Sequence, residues 1–263
     1  MSWKSLLSDA CREAARVIDS IGDRGKEYVG QGPSGDRTLL ADAVSESTIL
    51  NVISSASEIS FLTEEQGFVG KKDNAYIAII DPLDGSSNYL RGIPFYCISI
   101  AIFDNRIKRV VAASVFDPLR DVMYYAEIGK RAIRNDKEIA HSQAVRVKGS
   151  ILGVDINHTN EAVLSKLSKL ILSAGRTVHL GANALEICYV ADGKIDCFVD
   201  VRGLIRQTDV MAACYILEMA GGSVSDEKGR SLSVQLDKLT GMNIIAAPTK
   251  DIQREVISIL KGR

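Results

Sequence analysis

Apolar residues at Leu6, Leu7, Cys11, Ala14, Ala15, Ile18 and Ile21 recur at steps of three and four. That spacing lays one stripe along an amphipathic helix. The pattern stops in GDRGKEYVGQGPSGD, a glycine-rich polar loop. A second helix is expected from about Thr38 to Ala56, with a broader and less regular stripe of Val44, Ile49, Val52 and Ile53. The rhythm then shortens to EISFLT, AYIAII, YCISIAIF, KRVVAASVF and DVMYYAE. Their β-branched enrichment predicts strands, and their close succession predicts hairpins in an antiparallel sheet. From about residue 150, the strand-like ILGVDI, RTVHL, IDCFVDV and MNIIAAP alternate with EAVLSKLSKLIL, ANALEICYVADG, TDVMAACYILEMAGG and a last helix. Such alternation predicts an α/β layer. The expected organisation is two packed subdomains, an α+β part over residues 1–145 and an α/β part over residues 146–263.

Composition narrows the chemistry. The chain has 263 residues, enough to bury a substantial core, and its net charge of −1 argues against a general grip on nucleic acid or an acidic membrane. No apolar run is long enough to span a bilayer, and the N-terminal segment lacks a signal-peptide layout, so the cytoplasm is the expected location. Cys11, Cys97, Cys188, Cys197 and Cys214 form no C-x-x-C pair and sit mostly in apolar segments, as buried free thiols do. With only His141, His158 and His179, a histidine-rich metal centre is disfavoured. A hydrolytic or metal site would have to be built mainly from carboxylates.

Four acidic positions stand at element ends: Glu64 after EISFLT, Asp81 and Asp84 after AYIAII, and Asp209 at the start of TDVMAACYILEM. Asp42 lies within the second helix. Hard cations such as Mg²⁺ take oxygen ligands, and the turn DPLDG could aim both carboxylates and the Leu83 carbonyl at one ion. Each position also has an ordinary reading. D-P-x-D-G is common turn chemistry, Glu64-Glu65 is a solvated pair, and Asp209 complements a helix dipole. After Asp84, Gly85, Ser86 and Ser87 lead into NYLRG, and amides at a helix start suit a phosphate. The later DPLRD (117–121) has Arg120 at the second acidic position and no small-residue cradle, so it reads as a hairpin turn.

Together TEEQG (63–67), DPLDGSSNY (81–89) and TDVMAACYILEMAGG (208–222) resemble the inositol monophosphatase-like sugar phosphatases. The likeness runs over nearly the whole chain. With the compact length and GDRTLLAD, it is nearest to the archaeal-type members that hydrolyse both fructose 1,6-bisphosphate and inositol monophosphates. The resemblance implies a layered αβαβα sandwich and Mg²⁺-dependent phosphomonoester hydrolysis, with two or three Mg²⁺ per site, Mn²⁺ as a substitute, and a homodimer. It implies metal ligation by Glu64, Asp81, the Leu83 carbonyl, Asp84 and Asp209, and a Ser86–Asp42 pair that orients the attacking water with help from Glu64. It also implies phosphate binding by the Gly85 and Ser86 amides and a substrate pocket lined by Gly181, Ala182 and Asp200. Two positions depart from the family pattern: Thr208 stands where tryptophan is usual, and Ser86 where many relatives have threonine.

A bisphosphate needs a second anion site, and Arg202 and Arg206 just ahead of Asp209, with Arg91, are candidates, or else surface arginines paired with acids. Nucleotide 3′-phosphates such as 3′-phosphoadenosine 5′-phosphate are the alternative substrates. A non-catalytic metal-binding scaffold is the alternative class. A dinucleotide site at GQGPSG (30–35) lacks the preceding strand that its fingerprint requires. That loop is expected to be a flap carrying Asp36 and Thr38 toward the metals, as in the family.

Overall fold

A computed structural model of the chain describes residues 2–56, 58–139, 146–236 and 239–262. Helix α1 (Trp3–Ile21) opens with the Ser2 hydroxyl accepting the Ser5 N–H at 3.2 Å and buries the expected stripe from Leu6 to Ile18. The glycine-rich loop is more ordered than its composition suggests: a 3₁₀ turn (Gly22–Lys26) leads into a hairpin of β1 (Tyr28–Gln31) and β2 (Arg37–Leu39). The second helix, α2 (Leu40–Ile53), is shorter than expected because Thr38 and Leu39 belong to β2. Its stripe is irregular for a reason. The buried face carries Asp42, Ser45 and Glu46 beside Ala41, Ile49 and Ile53.

Strands β3 (Ile59–Thr63), β4 (Gly67–Val69) and β5 (Tyr76–Asp84) precede a short helix α3 (Ser86–Arg91). Next come β6 (Cys97–Asp104), β7 (Arg109–Asp117), β8 (Val122–Glu127), β9 (Ile133–Arg134) and β10 (Lys137–Glu138). These eight strands form one sheet in the order β10-β9-β8-β7-β6-β5-β3-β4. It is antiparallel as expected except where β3 runs parallel to β5.

The later part alternates as its sequence predicts: β11 (Ile151–Val154), α4 (Glu161–Ser173), β12 (Arg176–Val178), α5 (Asn183–Ala191), β13 (Cys197–Ile205) and α6 (Gln207–Met219). It closes with β14 (Ser223–Ser225), β15 (Met242–Ala247) and α7 (Lys250–Leu260). The second sheet has the order β12-β11-β13-β15-β14, parallel around β11 and antiparallel around β15.

Three apolar cores stack these parts into layers. Residues of α1 and α2 pack on one face of the large sheet. On its other face, α5 and α6 fill the space between the two sheets, where Ile77 and Ile79 share a core with Ile187, Phe198, Val210 and Ile244. Helices α4 and α7 cover the outer face of the small sheet. The result is the layered αβαβα arrangement. The expected subdomain boundary near residue 145 falls in residues 140–145, outside the described residues, as does His141. All five cysteines are free and buried. Among the described residues no helix is long and apolar enough to cross a membrane.

Candidate active site

The site is built at the C-terminal ends of β3 and β5 in the large sheet, and a bulge makes it. Within β5, Ile77 and Ile79 face α5 and α6, while Ala78 and Ile80 face α1 and α2. A regular strand would therefore send Asp81 and Asp84, three apart, to opposite faces. The pairing with β6 instead shifts between Asp81↔Ser99 and Asp84↔Cys97. Pro82, which has no N–H to donate to a ladder, sits in this bulge. Leu83 turns to the α1–α2 core, and Asp84 points back to α5, accepting the Asn183 and Ala184 N–H groups at 3.0 and 2.7 Å. Asp81 and Asp84 thus share a side. The Ser45 hydroxyl donates to the Pro82 carbonyl at 2.7 Å and holds the bulge from α2.

Parallel pairing of β3 with β5 aligns Thr63 with Ile80, and the Glu64 N–H donates to the Ile80 carbonyl at 3.2 Å. Glu64 therefore ends its strand beside Asp81. Asp209 arrives from α6, where it is the third helical residue. Its Oδ2 accepts the Arg206 N–H at 2.9 Å, and the Thr208 hydroxyl donates to its Oδ1 at 2.9 Å. Thr208 thus supports the carboxylate from a position where the family pattern has tryptophan. Carboxylate oxygens of Glu64, Asp81 and Asp209 lie within 4.8 Å of one another.

Such crowding of acids is costly, and the protonation equilibria register it. Burial, then the neighbouring charge of Asp209, pushes Asp84 upward. Asp81 is raised by burial and by Glu64, Asp84 and Asp209. Burial raises Glu64 although Arg206 opposes the shift. Asp42 is pushed up to about 8, chiefly by burial, with Glu64, Glu65 and Glu46 adding to it and the Leu39 N–H opposing. Oxygen donors gathered this closely, with the single Arg206 guanidinium set against several acids, suit a hard cation. The residues fit a metal ion through Glu64, Asp81 and Asp209.

The cradle after Asp84 is also formed. Gly85 has φ +93°, and a Cβ there would lie 3.0 Å from the Phe95 carbonyl oxygen, 3.1 Å from the Ala182 Cβ and 3.2 Å from the Gly181 carbonyl oxygen. Only glycine fits both the conformation and the space. The Asn88 amide donates to the Phe95 and Leu180 carbonyls, each at 2.7 Å, which ties α3 to the 180–182 loop. Glu186 holds that loop from below, accepting the Leu180 and Gly181 N–H groups at 3.0 Å. Gly181 and Ala182 thus border the cradle.

Other expected residues sit differently. Asp42 accepts the Leu39 N–H at 2.9 Å, and no hydrogen bond joins it to Ser86 among the described residues. The helix cap engages Oδ2. Each Asp84 oxygen accepts one N–H at the start of α5 and keeps a further lone pair, and the residue stands outside the Glu64–Asp81–Asp209 group. Asp200 is fully buried and does not line the cradle; it binds the Arg202 backbone and guanidinium. Arg202 also pairs with Asp155 at 2.5 Å and is 7% exposed, so its charge is already neutralised. Arg206 likewise meets acids, reaching Glu64, Asp209 and Asp36. The paired-arginine reading therefore describes both residues. The segment expected to be a flap forms the β1–β2 hairpin, with Asp36 on Arg206 and the Thr38 hydroxyl on Glu65.

Sequence reasoning missed Ser45, Glu46, Asn88 and Glu186. Glu46 accepts the Glu65 N–H at 3.1 Å and the Gln66 amide at 2.6 Å, fixing the turn after Glu64. Its signal was available: Asp42, Ser45 and Glu46 are spaced to share one helix face. Cavity size alone would have misled, since clefts of about 790 Å³ lie elsewhere, between α6 and residues 231–236 and beside α1 and α3.

Residues 3–262 match the family model described as the inositol monophosphatase family. The chain belongs to that family. It is 31% identical to a fructose-1,6-bisphosphatase/inositol-1-monophosphatase of Methanocaldococcus jannaschii, over 99% of this chain and 100% of the relative. It is 33% identical to the Nus factor SuhB of Xylella fastidiosa, covering 89% and 85% of the two chains. A crystal structure of an inositol monophosphatase–fructose 1,6-bisphosphatase superposes with a TM-score of 0.87 at 28% identity, covering 98% of this chain and 100% of the other.

Proposed function

We propose that this family member hydrolyses phosphomonoesters of small sugars and polyols, using Mg²⁺ or, in its place, Mn²⁺. Fructose 1,6-bisphosphate, losing its 1-phosphate, and inositol 1-phosphate are the first candidate substrates. The observation that carries this reading is the convergence of Glu64, Asp81 and Asp209 beside the Gly85–Ser86 cradle. The names carried by its relatives agree with it.

In this reading Glu64, Asp81, Asp209, Asp84 and the Leu83 carbonyl hold the ions. When bound, divalent ions acidify water and stabilise charge on a phosphoryl group in flight. The chain's own residues orient and bind. Gly85 lets a phosphate approach the backbone closely, and the Gly85 and Ser86 amides receive its oxygens. Asp42 lies close enough to Glu64 to feel its charge, and with the Ser86 hydroxyl as its partner it would orient the attacking water. Gly181 and Ala182, fixed by Asn88 and Glu186, shape the wall against the sugar. Arg202 and Asp200 are left out of substrate binding, because each already satisfies the other. A homodimer in the cytoplasm belongs to the same reading.

Phosphate release from fructose 1,6-bisphosphate, inositol 1-phosphate and 3′-phosphoadenosine 5′-phosphate, with and without Mg²⁺, tests it. Mg²⁺-dependent turnover of either of the first two is expected. Turnover of the nucleotide alone would move the substrate to that class. No turnover of any of them, with metal binding intact, would leave a non-catalytic scaffold.

A further inference from the structure

Arg206 uses its three guanidinium nitrogens on three acids from separate parts of the chain. Nη2 meets Glu64 at the end of β3, Nε lies 3.4 Å from Asp209 on α6, and Nη1 lies 3.0 Å from Asp36 in the β1–β2 hairpin. Two of these partners belong to the group whose oxygens lie within 4.8 Å of one another. The side chain is only 19% exposed, so it is enclosed with its partners rather than spread over the surface. Burial by itself would lower the arginine pKa, but Asp209, Glu64, Asp81 and Asp36 together raise it. A guanidinium cannot shed its proton to escape such a site. It can only stay paired or move.

We propose that Arg206 is an internal counter-cation of the carboxylate cluster, which a divalent ion must displace from Glu64 and Asp209, and that this competition sets the metal affinity of the site. The inference rests on the phosphatase reading only in taking the cluster for a metal site. A divalent ion and the guanidinium claim the same oxygens, and two cations held there together repel one another. Asp36 gives the displaced arginine somewhere to go. It is 75% exposed and belongs to the hairpin rather than to the group of candidate ligands. Metal entry is thereby coupled to the β1–β2 hairpin, because the residue that yields to the ion also ties that hairpin to the cluster.

Two other roles for Arg206 predict different behaviour. A purely structural clasp would leave metal affinity unchanged on its removal, and a phosphate ligand would change only the substrate KM. Calorimetric titration of Mn²⁺ alone, with no phosphate ester, separates them in the full chain and in Arg206→Gln and Arg206→Lys. Arg206→Gln is expected to bind Mn²⁺ about five- to tenfold more tightly, the size of a typical coupling between sites. Arg206→Lys, which keeps a positive charge, should fall between it and the parent. Without divalent ions, Arg206→Gln should also melt at a lower temperature than the parent, and saturating Mn²⁺ should close that gap. Equal or weaker Mn²⁺ binding by Arg206→Gln would overturn the proposal, as would a lysine variant binding as tightly as the glutamine one. A parent protein that binds no Mn²⁺ would sink the metal reading along with it. A parent that binds, with Arg206→Gln unchanged, would sink this inference alone.

Discussion

Two strand ends in the large sheet carry the same tripeptide. Asp81-Pro82-Leu83 lies near the end of β5 and Asp117-Pro118-Leu119 starts on the last residue of β7, and both strands run antiparallel to the β6 between them, so the two segments lie at the same strand ends of the sheet. Locally they behave alike. Asp81 accepts the Leu83 N–H at 3.0 Å, and Asp117 accepts the Leu119 N–H at 3.2 Å. Both aspartates are almost fully buried. The fourth residue separates them. Arg120 returns to Asp117 at 2.9 Å and neutralises it within the turn. Asp84 instead adds a second negative charge, and Glu64 and Asp209 bring more. A buried carboxylate with a cation in its own turn is finished; those of the cluster draw on a distant arginine, Arg206, which meets Glu64 and Asp209 but leaves more acids than cations there.

Asp84→Asn is the strongest way to break the contrast. On the proposed reading, phosphate release falls by about 100-fold or more, as for loss of a group that stabilises transition-state charge. The fold should survive, since the amide oxygen still accepts an N–H at the start of α5. Release at the parent rate would remove Asp84 from the ion-holding set. Gly85→Ala comes next. A side chain at φ +93° pressed against the Phe95 carbonyl should cost roughly 1–3 kcal/mol and lower turnover together. Unchanged melting temperature and activity would show that the cradle tolerates a Cβ.

Arg120→Ala probes the other turn. It leaves the buried Asp117 without its cation; discounted for an arginine side chain 46% exposed to solvent, the cost should be about 1 kcal/mol. Turnover per folded molecule should stay within about twofold of the parent, because the turn reaches the cradle only indirectly, through Arg120 on the Pro94 carbonyl and over the Phe95 ring. A large loss of turnover at unchanged stability would mean that the second turn serves catalysis after all.

The smallest effect expected is on pH dependence. Asp42 is raised to about 8 and Glu186 to about 7, both mainly by burial. Groups raised on folding favour the protonated folded state. Their contribution is complete below the unfolded carboxylate range near 4 and is lost as pH rises through about 7 to 8. Melting temperature without divalent ions should therefore be a few degrees higher near pH 5.5 than near pH 8.5. Glu186→Gln should narrow the difference, and a flat profile in the parent would contradict the raised values.

Much of the fold was legible in its apolar patterning. The stripe of α1 shows a helical period because that helix buries one side, while β5, β6 and β7, covered on both faces, read as short β-branched apolar runs. Helix α2 was harder to bound, because its inward face holds Asp42, Ser45 and Glu46 for the site, and polar residues erase the stripe that a helix is recognised by. The β1–β2 hairpin read as a loop because residues 28–31 are all exposed and β2 has only three residues. Short, solvated strands leave no alternation to see.

The sequence by itself determined which acids were available, that a cradle of small residues follows one pair of them, and the family. Each depends on residue identity and short-range order. It could not determine that Asp81 and Asp84 share a side, since three residues along a regular strand point opposite ways. The bulge at Pro82 reverses the phase, and it shows only in the register with β6. Nor could it show that Arg202 is consumed by Asp155 and Asp200 while Arg206 lies across Glu64 and Asp209. Charge pairing between distant elements is decided by where the folded backbone puts them, so only the tertiary structure could tell a neutralised arginine from one poised to yield its place.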